Sequence, residues 1–204
     1  IIQLLVDDDG EKYKIMGYEK TLSPDPTPSP IKDLKEKVSD KILNGIESYW
    51  LKKTHSKDVG FMQFQLDSIN AILDDHNTII SSPTGTGKTE AFIIPIIEKI
   101  LSVPTDCHFH DREYRIIGPH TLLIYPRTAL ADDQIVKIGE IVDECIDGYD
   151  WIRPTAIHGG IQGPARKKIL ERPPLILATT FDFINFHLIM QDMTWKNLLK
   201  NAKI

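Results

Sequence analysis

Four short apolar runs stand out along the chain, at 78–81, 121–125, 155–158 and 175–179. Runs of this length, bounded by Gly, Pro and polar residues, read as strands buried on both faces. Between them the spacing changes. Apolar residues at 92, 93, 96, 97, 100 and 101 predict a helix in EAFIIPIIEKIL, and those at 130, 131, 135, 138, 141, 142, 145 and 146 predict another. Strand and helix in alternation predict an α/β fold, with a parallel central sheet and flanking helices.

Upstream of residue 61 the pattern is less regular. A helical, one-sidedly charged stretch covers 31–53 and carries Tyr49, Trp50 and Leu51 near its end; a shorter helix is expected over 64–73. The first 18 residues read either as a hairpin around the acidic turn Asp7-Asp8-Asp9-Gly10 or as the remnant of an upstream domain. TLSPDPTPSP follows, with Pro24, Pro26, Pro28 and Pro30 at every second position. Fixed φ and missing donors make this an extended linker of at most about 30 Å; a PxxP docking motif needs a different spacing. The expected organisation is an N-terminal extension and Pro-rich linker over 1–30, a helical lead-in over 31–60 and the α/β domain over 61–204.

Composition narrows the class. The 204 residues are 41% hydrophobic and 26% charged, ordinary for a soluble globular domain with one sizeable core. No apolar stretch approaches the roughly 20 residues of a membrane span, and IIQLLVDDDG has no basic signal-peptide region. That start, without methionine, reads as a segment cut from a longer protein. A net charge of −5 argues against a general nucleic-acid coat but leaves room for a local basic groove. Two cysteines, Cys107 and Cys145, make no disulfide framework, which fits a reducing cytoplasm. Cys107, His108, His110 and Asp111 are ligand-rich, but a structural zinc site draws a second pair that the chain does not supply.

The chemistry centres on SSPTGTGKTE, residues 81–90, which follows the first strand and opens a helix. Gly85 and Gly87 let the backbone turn its N–H groups toward phosphates, and the helix N-terminus adds partial positive charge. Lys88 is placed to reach the β- and γ-phosphates, and the Thr89 hydroxyl to hold Mg²⁺. Ser82, Pro83, Thr84, Gly85, Thr86, Gly87, Lys88, Thr89 and Glu90 are therefore the expected ATP-binding stretch, with Lys88 and Thr89 carrying the catalytic roles. Ser82 stands where a phosphate loop usually has glycine.

TGTGKTEAF with its downstream proline resembles motif I of superfamily 2 helicases, in which serine or alanine commonly replaces that glycine. DEAD-box members carry a glutamine 23 residues before the loop lysine, and Gln65 holds that place before Lys88; the resemblance implies an amide contact with adenine. LLIYPRTALADDQ resembles motif Ia, through Pro126, Leu130, Ala131, Asp133 and Gln134. Thr128 stands where a basic residue is usual, and Arg127 precedes it. His158-Gly159-Gly160 resembles the GG element. ILATTFDF resembles motif Ib through Thr179 and Thr180, with Phe181 in place of proline. Arg166, Lys167 and Lys168 lie between these elements and either line the same groove or form a solvated helix face.

The resemblance covers 61–204 and implies a RecA-like phosphate-loop domain, ATP with Mg²⁺, and DNA or RNA held along its backbone through Pro126, Arg127, Thr128, Gln134, Gly159, Gly160, Thr179 and Thr180. It also implies a second RecA-like domain with an arginine finger. Hydrolysis needs an acid pair as well. Asp143-Glu144 in IVDEC lies on a helical pattern, and Asp74-Asp75-His76 falls where a turn is expected. The family's DExH or DEAD motif would follow NLLKNAKI, so the segment is expected to be inactive alone. The expected function is the ATP-binding domain of a nucleic-acid-dependent helicase or translocase, leaning to DNA because of the ALADDQ form. The alternative is a non-translocating phosphate-loop scaffold or switch. The guanine-reading NKxD of GTPases is absent.

Overall fold

A computed structural model describes residues 2–6, 13–18, 34, 36–55, 60–102, 118–146, 152–189, 193–199 and 202. The acidic turn at 7–10, the proline tract and the CHFHD cluster lie outside them. The chain divides into two compact units, Ile1–Lys99 and Ile100–Ile204.

In the first unit, β1 (Ile2–Val6) pairs antiparallel with β2 (Tyr13–Tyr18). Helix α1 (Asp40–Thr54) buries Ile42, Leu43, Ile46, Tyr49 and Trp50, a stripe with i, i+4, i+7 spacing. Its ends suit the helix dipole: Asp40 lies in the first turn, Lys52 and Lys53 in the last, and His55 turns left-handed at φ 56° to stop it. Trp50 packs edge-on against Phe61, with centroids 4.8 Å apart. Helix α2 (Gln63–Leu73) buries Leu66 and Ile69. Helix α3 (Lys88–Ser102) buries Ile93, Ile94 and Ile97, and accommodates Pro95 at the loss of one ladder hydrogen bond. Polar ties join these helices: the Ser39 N–H donates to Glu98 Oε2 at 2.8 Å, Lys37 pairs with Asp74, and Lys99 pairs with Asp75.

The second unit is built on a parallel sheet of order β3-β5-β4, from β3 (Thr121–Tyr125), β4 (Thr155–Ile157) and β5 (Ile176–Thr180). Helix α4 (Thr128–Cys145) links β3 to β4, α5 (Gly163–Glu171) links β4 to β5, and α6 (Phe181–Ile189) and α7 (Met193–Leu199) follow. Central β5 is buried throughout because both its edges are paired and both its faces covered. Leu122, Ile157, Ile169, Leu177, Phe183, Trp195 and Leu198 form one cluster of this unit's core. Phe183 meets Trp195 edge-on at 5.1 Å. Cys145 is buried at the end of α4, and desolvation, with Glu144 adding to it, pushes its thiol up to about 12.

Three expectations need correction. The expected strand over 78–81 shrinks to an isolated bridge at Ile79, which is 38% exposed. A strand is a pairing, and among the described residues this segment has no longer ladder. The expected helix over 31–53 begins only at Asp40; a turn at 36–37 precedes it. Arg166, expected as groove lining or a solvated face, folds back onto loop carbonyls, as described below. The two decoy acid pairs do read as expected. Asp143 and Glu144 lie in the last turn of α4, and Asp75, at φ 59°, lies in the turn that ends α2. Among the described residues, no helix is long and apolar enough to cross a membrane.

Candidate functional site

In the first unit the phosphate loop is held by its own side chains. Gly85 and Gly87 adopt φ of 79° and 86°, the left-handed region in which an L side chain is strained. Gly85 has open space around it, whereas a Cβ on Gly87 would run into the Gln65 amide nitrogen. The Ser82 and Thr86 hydroxyls lie 2.7 Å apart, and Thr86 donates to the Pro83 carbonyl at 2.9 Å. Lys88 opens α3 and donates to the carbonyls of Ser82 and Pro83 at 2.6 and 2.5 Å. Thr89 and Glu90 follow it, both buried.

Gln65 is 4% exposed and joins α2 to this loop. Its Oε1 accepts from the Met62 N–H at 2.8 Å, closing the first turn of α2, and its Nε2 donates to the Gly87 carbonyl at 2.9 Å. The two bonds fix the amide's orientation. They leave one N–H and one acceptor lone pair, the combination an adenine edge would take. The loop therefore fits a nucleotide: a turned backbone with no Cβ at its tightest point, a lysine, a hydroxyl and an oriented amide.

The second unit assembles the other residues at one edge of its sheet. In a parallel sheet all strands end on the same side. Tyr125 lies opposite Thr180, and Ile157 opposite Thr179. The loops after β3 and β4 and the start of α6 are thus neighbours, and α4, α5 and α6 all begin at this edge. Open α/β sheets commonly bind ligands there, where helix N-termini present N–H groups. Pro126, Arg127, Thr128, Gly159 and Gly160 are exposed, and Gln134 is half-buried. Thr179 and Thr180 are not presented to solvent. The Thr179 hydroxyl is buried without a partner among the described residues, and the Thr180 hydroxyl accepts from the Phe183 N–H at 3.4 Å as a cap on α6. Phe181 is the first helical residue, 63% exposed. That position tolerates proline because its N–H has no intrahelical acceptor, so phenylalanine and proline are backbone equivalents here.

Sequence reasoning missed the links that hold this edge. His158 Nε2 meets Asp132 Oδ1 at 3.1 Å, and the Gly160 N–H meets His158 Nδ1 at 3.2 Å. Arg166 donates from Nε to the Ile161 carbonyl at 2.9 Å and from Nη2 to the His158 and Gly159 carbonyls at 3.4 and 3.3 Å. Its guanidinium also lies over the Phe183 ring. No local pattern announces a bond between residues 26 positions apart. Lys167 pairs with Glu171 at 3.7 Å on an exposed helix face, a contact of little energetic weight.

The human ATP-dependent DNA helicase DDX31 is 27% identical over 116 residues, 57% of this chain and 12% of that protein. DEAD-box ATP-dependent RNA helicase 22 of Arabidopsis thaliana is 28% identical over 134 residues, 63% of this chain and 22% of that protein. The chain thus spans less than a quarter of either relative. Among solved structures, DEAD-box helicase Mss116 bound to ssRNA and UDP-BeF superposes with a TM-score of 0.66, at 21% identity, over 86% of this chain and 32% of that one; the shared fold is RecA-like. The family model for the DEAD/DEAH box helicase matches residues 62–204, and the chain belongs to that family.

Proposed function

We propose that this chain is the first RecA-like, ATP-binding domain of a nucleic-acid-dependent ATPase, a helicase or translocase that favours DNA over RNA. The observation that carries the reading is the join between Gln65 and the phosphate loop. An amide with one spare donor and one spare acceptor is hydrogen-bonded to the residue before Lys88. It couples base recognition to the loop itself.

Lys88 now donates hydrogen bonds to two loop carbonyls. On nucleotide binding it exchanges them for phosphate oxygens, whose charge makes the stronger acceptors. Ser82, Pro83, Thr84, Gly85, Thr86, Gly87 and Glu90 would shape the cradle, and the Thr89 hydroxyl would hold Mg²⁺. ATP supplies the phosphoanhydride bond whose hydrolysis drives the cycle. At the sheet edge, Pro126, Arg127, Thr128, Gln134, Gly159 and Gly160 hold the nucleic-acid backbone. Thr179 and Thr180 act there through backbone groups and the α6 N-terminus, because their hydroxyls are buried. These are phosphate and sugar contacts, which position a strand without reading its sequence. A second RecA-like domain would close over the nucleotide. The DNA preference rests on the ALADDQ form of residues 129–134. Because Asp143 and Glu144 lie in α4, residues 1–204 alone should hydrolyse almost no ATP.

The test is the ATPase rate of the full-length protein without polymer and with single- and double-stranded DNA and RNA, beside a Lys88→Ala control. Stimulation by DNA that the control abolishes is the expected result. Stimulation by RNA alone would reverse the polymer preference. A flat, polymer-independent rate would replace the motor with a scaffold or switch.

A further inference from the structure

We infer that Asp132 and His158 form a strut that sets the spacing between the loops after β3 and β4, and with it the grip of this edge on a nucleic-acid backbone. The inference rests on the proposed function above and adds positioning residues to it.

Strands β3 and β4 are not neighbours; β5 lies between them. Two inter-strand steps separate them, about 10 Å, so no ladder hydrogen bond joins β3 to β4. Asp132 stands near the start of α4, just past Pro126, Arg127 and Thr128, and His158 directly follows β4. Their 3.1 Å contact bridges the end of β5.

The direction of the bond follows from the other ring nitrogen. The Gly160 N–H can only donate, so His158 Nδ1 accepts. Nε2 then carries the ring hydrogen and donates to the Asp132 carboxylate. One imidazole thus orients the Gly159-Gly160 backbone through one nitrogen and ties it to the motif Ia helix through the other. Gly160 is fitted closely to this ring: a Cβ there would lie 3.2 Å from Cε1 and 3.3 Å from Nδ1.

Arg166 braces the same loop, bonding the carbonyls of His158, Gly159 and Ile161. Its guanidinium lies 5.4 Å from the Phe183 ring centroid, on the helix that Thr180 caps. The motif Ia helix, the Gly159-Gly160 loop and α6 are therefore connected by side chains that need not touch the strand themselves. Asp132 is 53% exposed, so water competes for its carboxylate and the hydrogen bond adds little stability. Its contribution is to geometry. A backbone-gripping edge depends on loop spacing, because small misplacements of positioning groups carry large rate effects.

The experiment uses the full-length protein and four variants: Asp132→Ala, Asp132→Asn, His158→Ala, and the Asp132→Ala/His158→Ala double. It measures the polymer concentration for half-maximal ATPase stimulation, the ATP KM, the unstimulated rate and the melting temperature. For Asp132→Ala the half-maximal polymer concentration should rise about tenfold, while the ATP KM and unstimulated rate stay within about twofold. Asp132→Asn keeps an acceptor for Nε2–H and should restore the wild-type value. The double variant should be no worse than the poorer single, as expected of one shared interaction. An unchanged polymer requirement in Asp132→Ala, or an Asp132→Asn as impaired as Asp132→Ala, would overturn the strut. So would an equal loss in ATP KM, even with His158→Ala unfolded. These outcomes leave the function reading intact when wild type is stimulated by polymer. Absence of stimulation in the wild type would overturn the function reading, and the strut with it.

Discussion

The phosphate loop and the sheet edge are built in opposite ways. The loop is local: Ser82, Pro83, Thr86 and Lys88 satisfy one another across at most six residues, and one distant side chain, Gln65, fixes it from α2. The edge is assembled from residues that span 126–183, brought together by strand register and held by Asp132, His158 and Arg166. A loop whose polar groups bond one another is set by its own sequence. An edge made of strand ends is set by the sheet, and its exposed groups face solvent.

The difference predicts how each region breaks. The loop should fail at single atoms. Gly87→Ala meets both a positive φ and the Gln65 amide, so it should cost about 1–3 kcal/mol in stability and abolish detectable nucleotide binding. Gly85→Ala has the same backbone strain but open space, and should cost about 1 kcal/mol while retaining weak binding. Titration with a fluorescent ATP analogue, beside thermal unfolding, checks both; equal losses at the two glycines would show that Gln65 does not constrain the loop. Gln65→Ala comes next. It removes partners from the Met62 N–H and the Gly87 carbonyl, so stability should fall by about 1–2 kcal/mol and ATP affinity about tenfold. A Gln65→Ala variant with normal ATP affinity would confine that side chain to capping α2.

The edge should tolerate exchange where only the backbone matters. Phe181→Pro places proline at the first residue of α6 and should change stability by less than about 0.5 kcal/mol. A large drop in melting temperature would show that the phenyl ring packs in a way its exposure does not suggest. Smallest of all, Asp143→Asn with Glu144→Gln should leave ATP turnover of the full-length protein within about twofold, since both acids sit on α4. Loss of turnover would return that pair to the hydrolytic machinery.

Much was legible in the chain before folding. Periodicity marked α2 and α3, and 121–125 became β3 residue for residue. The helical spacing around 143–144 separated a decoy from an acid motif. The resemblance to DEAD-box members pointed from Lys88 back to Gln65, and the structure puts that amide on the loop. Other readings stopped where local pattern stops. Ile79 and Ile80 have the composition of a strand, but a strand exists only against a partner. Thr179 and Thr180 read as nucleic-acid contacts by resemblance to motif Ib, yet β5 is central, and its last two side chains are buried. Arg166 read as a groove cation or a solvated residue, whereas its guanidinium spans three loop carbonyls.

By itself the sequence determined the phosphate loop, because φ preferences, a lysine and a helix start act over a few covalently adjacent residues. It also determined the alternation of strands and helices, because apolar period is a local property of the chain. Tertiary structure alone decided which strand is central, which hydroxyls are buried and which side chains bridge separate loops. Those outcomes depend on pairing between residues far apart in sequence. The 26 positions between Asp132 and His158 are closed by the order β3-β5-β4 and by nothing either residue encodes locally.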